Sequence, residues 1–318
     1  MNKIFFLFLV PILSFASPAW MFNLKHDKNY IIGYGMDTSL EKAKQNAMMD
    51  ITHSISVSVE SNVDISTKDN NGKASNNSSV DLHTRSKAIL SGVEFIKIEQ
   101  NKDLWWVAAK YDNSPVEIKF RKSLPETFKD ENQNRYLKNT PLGKSIDAEL
   151  KHKLNYNVVR KDNLWQLKYR DVLVPINQVN FYKLFSNQKT KAISMKANQK
   201  IYVTHDEMFF ELEHKKSGYI SILYVEHNGK VGVLLSNKKS DKSFKYPDAK
   251  NEDVFKIANP YGKTIRELYV AIYSKEPIDL NQFENVGHSL LDDSNFAFEK
   301  LLSLLQEYDY STYAIKIR

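Results

Sequence analysis

The start of the chain limits its possible folds more than any later motif does. Asn2 and Lys3 precede an apolar stretch at residues 4–13, interrupted only by Pro11. Ser14 and Ala16 then stand three and one residues before a cut ahead of Ser17. This is the pattern of a secretory signal, and it is too short for a spanning helix. The sequence contains no cysteine. An exported chain of this kind has no disulfide framework and no lipid-acceptor thiol. Its fold is therefore expected to rest on hydrophobic cores.

The composition supplies such cores. Hydrophobic residues make up 42% of the 318 residues, a globular proportion. The mature length suits two or three domains. A formal net charge of +7 is compatible with an anionic partner. The lysines are scattered, however, and an exported chain argues against nucleic acid.

Periodicity divides the chain. Residues 30–35 read as a short strand ending in Gly33 and Gly35. Thr38 and Glu41 have capping-box spacing for a following helix. Leu40, Ala43, Ala47, Met48, Ile51 and Ile55 line one face of that helix. The small Ala43 and Ala47 let it lie close to a sheet. The period then changes to two, with Ile55, Val57, Val59, Val63 and Ile65 on alternate positions and Ser61 the one exception, which predicts a long half-buried strand. Residues 66–79 are polar and read as a hairpin tip, and alternation over 80–90 predicts the returning strand. A second hairpin is expected at 93–99 and 104–111, turning at Asn101-Lys102-Asp103.

Residues 115–135 read as a charged linker. Thr140-Pro141 opens a helix with Leu142, Ile146, Leu150 and Leu154 along one face. Short strands are expected near 158–159 and 164–169. From about residue 193 the chain turns mainly to strand, with an Asn228-Gly229 hairpin signal. A helix is expected at 296–305 and a last strand at 312–317. The expected class is α+β. Residues 1–16 form the signal, 17–114 a strand–helix–antiparallel-strand domain, 115–192 a linker with a small α+β unit, and 193–318 a β-sandwich-like domain.

The catalytic motifs fail on inspection. Gly33-Tyr34-Gly35 lacks the third glycine of a dinucleotide fingerprint, since Thr38 occupies that position. Gly262-Lys263-Thr264 lacks the earlier glycine of a phosphate loop, and a turn is the better reading. No nucleophile elbow occurs. His205-Asp206-Glu207 and His214 do not have metal-motif spacing, and strand alternation sends neighbours to opposite faces. Asp292-Asp293 reads as a charge complement to a helix dipole. Asp27 and Asp37 have no special partner, and Asn76-Asn77-Ser78 is a generic sequon. No catalytic, cofactor-binding or metal-binding residue is assigned, no cofactor is expected, and the chain reads as a non-enzyme. Trp105-Trp106 lies in a strand, where one ring is expected to face the core and the other outward, and cross-strand packing on a second buried face is the better reading than an open platform.

Pro18-Ala19-Trp20, the 30–35 strand, the Leu40/Ala43/Ala47 helix and the alternating segment at 55–65 together resemble the twenty-kilodalton, FlgP-like Lpp lipoprotein family of epsilon-class proteobacteria. The resemblance covers about residues 18–111. Family members carry a lipidated cysteine, and this chain has none. Residues 218–223, 229–237 and Pro260-Tyr261-Gly262 resemble an uncharacterised β domain of exported bacterial proteins. Asn237 there ends a leucine–aromatic–Pro–Asn run whose middle is Leu235-Ser236 in this chain. The domain arrangement is similar to that of the FlgT periplasmic ring proteins, and the whole chain resembles the FlgQ flagellar proteins.

The resemblance implies an exported structural scaffold of the flagellar motor. It would be periplasmic, associated with the outer membrane through partners, and oligomeric in a disk or ring needed for motility. The implied partners are a FlgP-like Lpp-family lipoprotein and other flagellar disk or ring proteins, with no nucleic acid. A two-stranded arm at 55–90 is the expected means of subunit pairing. The alternative is a soluble envelope module that binds peptidoglycan or another glycan through Trp105 or Trp106.

Overall fold

A computed structural model describes residues 17–22, 24, 29–64, 92–161, 164–248, 254–284 and 297–318. The expected signal at 1–16, the loop at 66–79, the strand at 80–90 and the sequon lie outside the described residues, as do Asp27 and Asp292-Asp293. The chain is α+β and forms two compact units, Met1–Ser114 and Pro115–Arg318.

In the first unit, a 3-10 turn (Ala19–Phe22) precedes strand β1 (Tyr30–Asp37), helix α1 (Leu40–Asp64), β2 (Val93–Asn101) and β3 (Leu104–Asp112). The sheet order is β1-β3-β2, antiparallel throughout. The β2–β3 turn passes through Lys102, whose φ is 54°. Ala43, Ala47 and Ile51 are buried on the sheet with Val107 and Ala109. Gly33 and Gly35 make this close approach possible. A Cβ on Gly33 would stand 2.2 Å from the Ala47 carbonyl oxygen, well inside van der Waals contact. These glycines therefore serve helix–sheet packing.

Two expectations for this unit are corrected. The segment at 55–65 is not a strand, because α1 continues to Asp64. Ile55, Val59 and Val63 extend the four-residue spacing of Ala43, Ala47 and Ile51, so the apparent alternation contained a helical repeat. The helix start is also built differently. The Asp37 carboxylate accepts the Ser39 amide at 2.9 Å and the Thr38 hydroxyl at 3.3 Å. Glu41 pairs instead with Lys44 at 3.1 Å.

The second unit begins with α2 (Val116–Ser123) and α3 (Pro141–Leu150). The charged segment after residue 115 is thus not simply a linker, since Val116 and Phe120, four residues apart, both enter the core. Thr140 caps α3 by accepting the Gly143 amide at 3.0 Å. A small sheet follows, made of β4 (Asn157–Lys161), β5 (Leu164–Tyr169) and β6 (Val172–Pro175), and then α4 (Gln178–Tyr182).

The remaining chain gives β7 (Gln188–Lys189), β8 (Ile193–Ala197), β9 (Ile201–Tyr202), β10 (Glu207–Met208), β11 (Phe210–His214), β12 (Gly218–Val225), β13 (Val231–Ser240), β14 (Phe244–Tyr246), β15 (Phe255–Lys256) and β16 (Ile265–Ser274). It closes with α5 (Asn281–Glu284), α6 (Ala297–Glu307) and β17 (Asp309–Ile317). The central sheet runs β13-β12-β16-β17-β7, with β9 also paired to β17.

Both faces of the central sheet are buried, which explains the nearly continuous apolar runs of β12 and β16. Leu223, Val225, Leu268, Val270 and Ile272 face a core shared with α2, α3, α6 and the β4–β6 sheet. Ile220, Ile222, Tyr269 and Ala271 face β8 and β11, which form a second layer with β14. The boundary expected between residues 192 and 193 does not separate compact units. Residues on both sides of it complete one core.

Candidate functional site

The open strand edges of the first unit are its most distinctive surface. In β1 two outward backbone groups near its end are occupied by the helix. The Tyr34 amide donates to the Asp50 carboxylate at 2.9 Å, and the Met36 carbonyl accepts from Asn46 at 3.0 Å. Two side chains of α1 thus block β1 as a template for further pairing.

β2 differs. Among the described residues it pairs only with β3, and a register shift between Phe95 and Lys97 bends its first half. Beyond that shift, residues 97–100 are exposed, including Ile98 at 44%. Tyr34 and Met36 turn their backbone groups away from β3, so antiparallel alternation places the Ile98 and Gln100 amides on the open side of β2. Lys97 and Glu99 flank Ile98. Glu99 accepts the Trp20 indole N–H at 2.6 Å, which fixes the 3-10 turn beside this strand.

The two tryptophan rings take opposite faces of β3, and both faces are covered. Trp105 packs half-buried against the helix-side cluster. Trp106, on the opposite face, is only 7% exposed. Neither ring forms an open platform for a sugar. Asp37 belongs to the helix start, where the Ser39 amide holds its carboxyl below the usual range.

In the second unit, polar chemistry gathers at one end of the central sheet. Tyr224, Tyr269 and Tyr313 form a row across β12, β16 and β17. The Tyr269 hydroxyl donates to Glu267 at 2.7 Å. Burial raises the Glu267 carboxyl, and the neighbouring charge of Glu226 adds to that rise. Burial also pushes the Tyr224 and Tyr261 phenols up, with Glu226 and Glu267 contributing. The His227 ring lies 4.3 Å from that of Tyr261. The sequence reading missed this cluster, and the alternating Glu267 and Tyr269 were its only trace.

The adjoining hairpin is held from below. Trp165 stacks on Phe181 at 4.5 Å and donates its indole N–H to the Asn228 carbonyl at 3.0 Å. Gln178 donates to the His227 carbonyl. Gly229 has a φ of 87° and would place a Cβ 2.0 Å from the Trp165 ring, so the Asn-Gly turn needs glycine twice over.

The other sequence candidates are dispersed. Gly262-Lys263-Thr264 is a turn with Gly262 at φ 61°, closed by Asn259 donating to the Lys263 carbonyl at 2.9 Å. Asp206 accepts the Val203 amide at 2.8 Å, and His205 occupies a turn at φ 75°. His214 bonds backbone carbonyls with both ring nitrogens. Among the described residues, no group of three or more His, Asp or Glu side chains could hold a metal ion. No helix among them is long and apolar enough to cross a membrane.

No protein-family model matches the chain. No curated protein matches it either. Among solved structures, the chain is similar at 23% identity to the secreted protein HP1454 from the human pathogen Helicobacter pylori. The similarity covers 39% of this chain and 49% of that one, with a TM-score of 0.21, a likeness that carries no argument. The chain thus spans about half the length of that protein.

Proposed function

We propose that this protein is an exported structural scaffold of the flagellar motor, working through subunit contacts instead of bond-making chemistry. It contributes to a periplasmic, outer-membrane-associated disk or ring required for motility. The proposed partners are a FlgP-like Lpp-family lipoprotein and other flagellar disk or ring proteins. The flagellar assignment rests on the sequence resemblance of residues 18–111 and of the whole chain. The observation that carries the assembly reading is the asymmetry of the first sheet: side chains of α1 occupy backbone groups of β1, whereas β2 has no pairing partner beyond β3 among the described residues. An exposed edge strand is a template for another strand; two copies sharing this edge make a two-fold pair, and a disk or ring needs a second, different contact surface on each copy.

The test has two parts. A clean deletion is expected to abolish or weaken swimming while filament subunits remain expressed; normal swimming would end the flagellar reading. Ile98→Pro removes an outward amide and leaves the ladder to β3 intact. The variant is expected to remain folded and to lose self-association or partner capture in sedimentation velocity. Unchanged assembly would show that β2 is not the contact.

A further inference from the structure

Opposite the tyrosine–carboxylate end, the second unit presents a rim of lysines. The β11–β12 loop carries Lys215 and Lys216, and the β13–β14 region carries Lys239 and Lys242. Lys275 follows β16, and Lys191 precedes β8. Strand register brings these loops together. Gly218 is opposite Ser240, Tyr219 is opposite Ser274, and the Lys215 amide donates to the Ala192 carbonyl at 3.2 Å. All six lysines are exposed, and none is ion-paired among the described residues. Asp241, Glu276 and Asp279 are the acidic side chains in these loops, against six lysines.

The rim is also held in shape. His214 Nδ1 lies 2.9 Å from the Lys216 carbonyl oxygen, and Nε2 lies 2.8 Å from that of Lys242. Ser240 adds a 2.7 Å bond to the same Lys242 carbonyl, and the Tyr273 hydroxyl donates to the Ser217 carbonyl at 3.0 Å. These contacts link the β11–β12 loop to the β13–β14 loop and to β16.

We propose that this rim is a docking surface for the anionic headgroups of a lipid bilayer. Its charges are compact ammonium groups on flexible stems, without an arginine fork for bidentate recognition. The exposed large hydrophobic residues of the second unit, Val179, Ile201, Val203 and Tyr261, all lie outside these loops, so apolar insertion and base stacking have no purchase here. Several point charges along the ends of adjacent strands match a diffuse negative plane, which attracts each nearby lysine and is screened by salt. This inference is independent of edge assembly through β2 and survives its failure.

Vesicle co-sedimentation tests it with the purified protein. Phosphatidylcholine vesicles are compared with vesicles containing about one third phosphatidylglycerol, at roughly 0.05 M and 0.5 M salt. The protein is expected to pellet with the anionic vesicles at low salt, to leave them at high salt, and to ignore the neutral ones. Lys215→Glu, Lys216→Glu, Lys242→Glu and Lys275→Glu together should weaken binding by at least about tenfold. The same four changes to Gln should weaken it less. A control with the exposed Lys129, Lys138, Lys144 and Lys168 changed to Glu carries the same net charge and should bind as the wild type. Equal loss in that control would reduce the effect to net charge and overturn the proposal. So would an absence of anionic-vesicle binding, or capture by soluble heparin without vesicle binding.

Discussion

Gly35 lies so close beneath helix α1 that a Cβ on it would stand 1.9 Å from the carbonyl oxygen of Ala43. The obstacle is backbone, which cannot rotate away. Gly35→Ala is expected to push the helix off the sheet at a cost of about 3 kcal/mol. Hydrogen exchange should quicken in residues 30–64 and stay unchanged in 218–225. Unaltered protection of α1 would contradict this packing.

Trp165 joins the small sheet to the Asn228-Gly229 hairpin through stacking on Phe181 and a bond to the Asn228 carbonyl. Trp165→Ala should cost about 3–5 kcal/mol in urea unfolding, and Trp165→Phe clearly less. Gly229→Ala should also destabilise, because it meets both a positive φ and the Trp165 ring.

Asn237 combines a left-handed φ of 48° with a two-way bond to the chain after β16. Its side-chain Nδ2 donates to the Ile278 carbonyl at 2.9 Å, and its side-chain oxygen accepts the Ile278 backbone amide at 2.9 Å. Asn237→Gly relieves the backbone and loses the bonds, whereas Asn237→Ala loses the bonds and is strained as well. The expected order of thermal midpoints is wild type, then Gly, then Ala, with Ala about 2–3 kcal/mol below wild type. Equal losses would assign the whole effect to the side chain.

Glu267 makes stability depend on pH. Its carboxyl is raised in the fold by burial and by Glu226, so the native state keeps its proton to higher pH than the unfolded chain does. The contribution is therefore full below the unfolded value and is lost as pH rises through the folded one. Glu267→Gln retains an acceptor for the Tyr269 hydroxyl and removes the charge. It should melt higher than wild type at neutral pH, and the gap should close in acid. A gap that does not vary with pH would show that this carboxyl is not the cause.

Much of the fold can be read from local chemistry. Thr140-Pro141 is a cap and first turn both in sequence and in structure. Asn228-Gly229 is a turn, and the apolar runs on either side of it are strands. The errors arose where two physical patterns overlap. Ile55, Val59 and Val63 satisfy period two and period four together, and the helix that begins at Leu40 continues through them. Val116 and Phe120 were hidden among charges, although two apolar residues four apart are enough to seat a short helix. The blocked edge of β1 left no sequence trace, because Asp50 and Asn46 reach it only after α1 has docked. The lysine rim was equally hidden, since register gathers residues scattered from 191 to 275.

The doubly covered central sheet has a practical outcome for anyone shortening this polypeptide. A fragment cut at residue 192 would strip α2, α3 and the small sheet from Leu223, Val270 and Ile272, leaving α6 to cover only part of a greasy wall. Such a piece should precipitate on expression, whereas a cut after Ser114 leaves that wall clad.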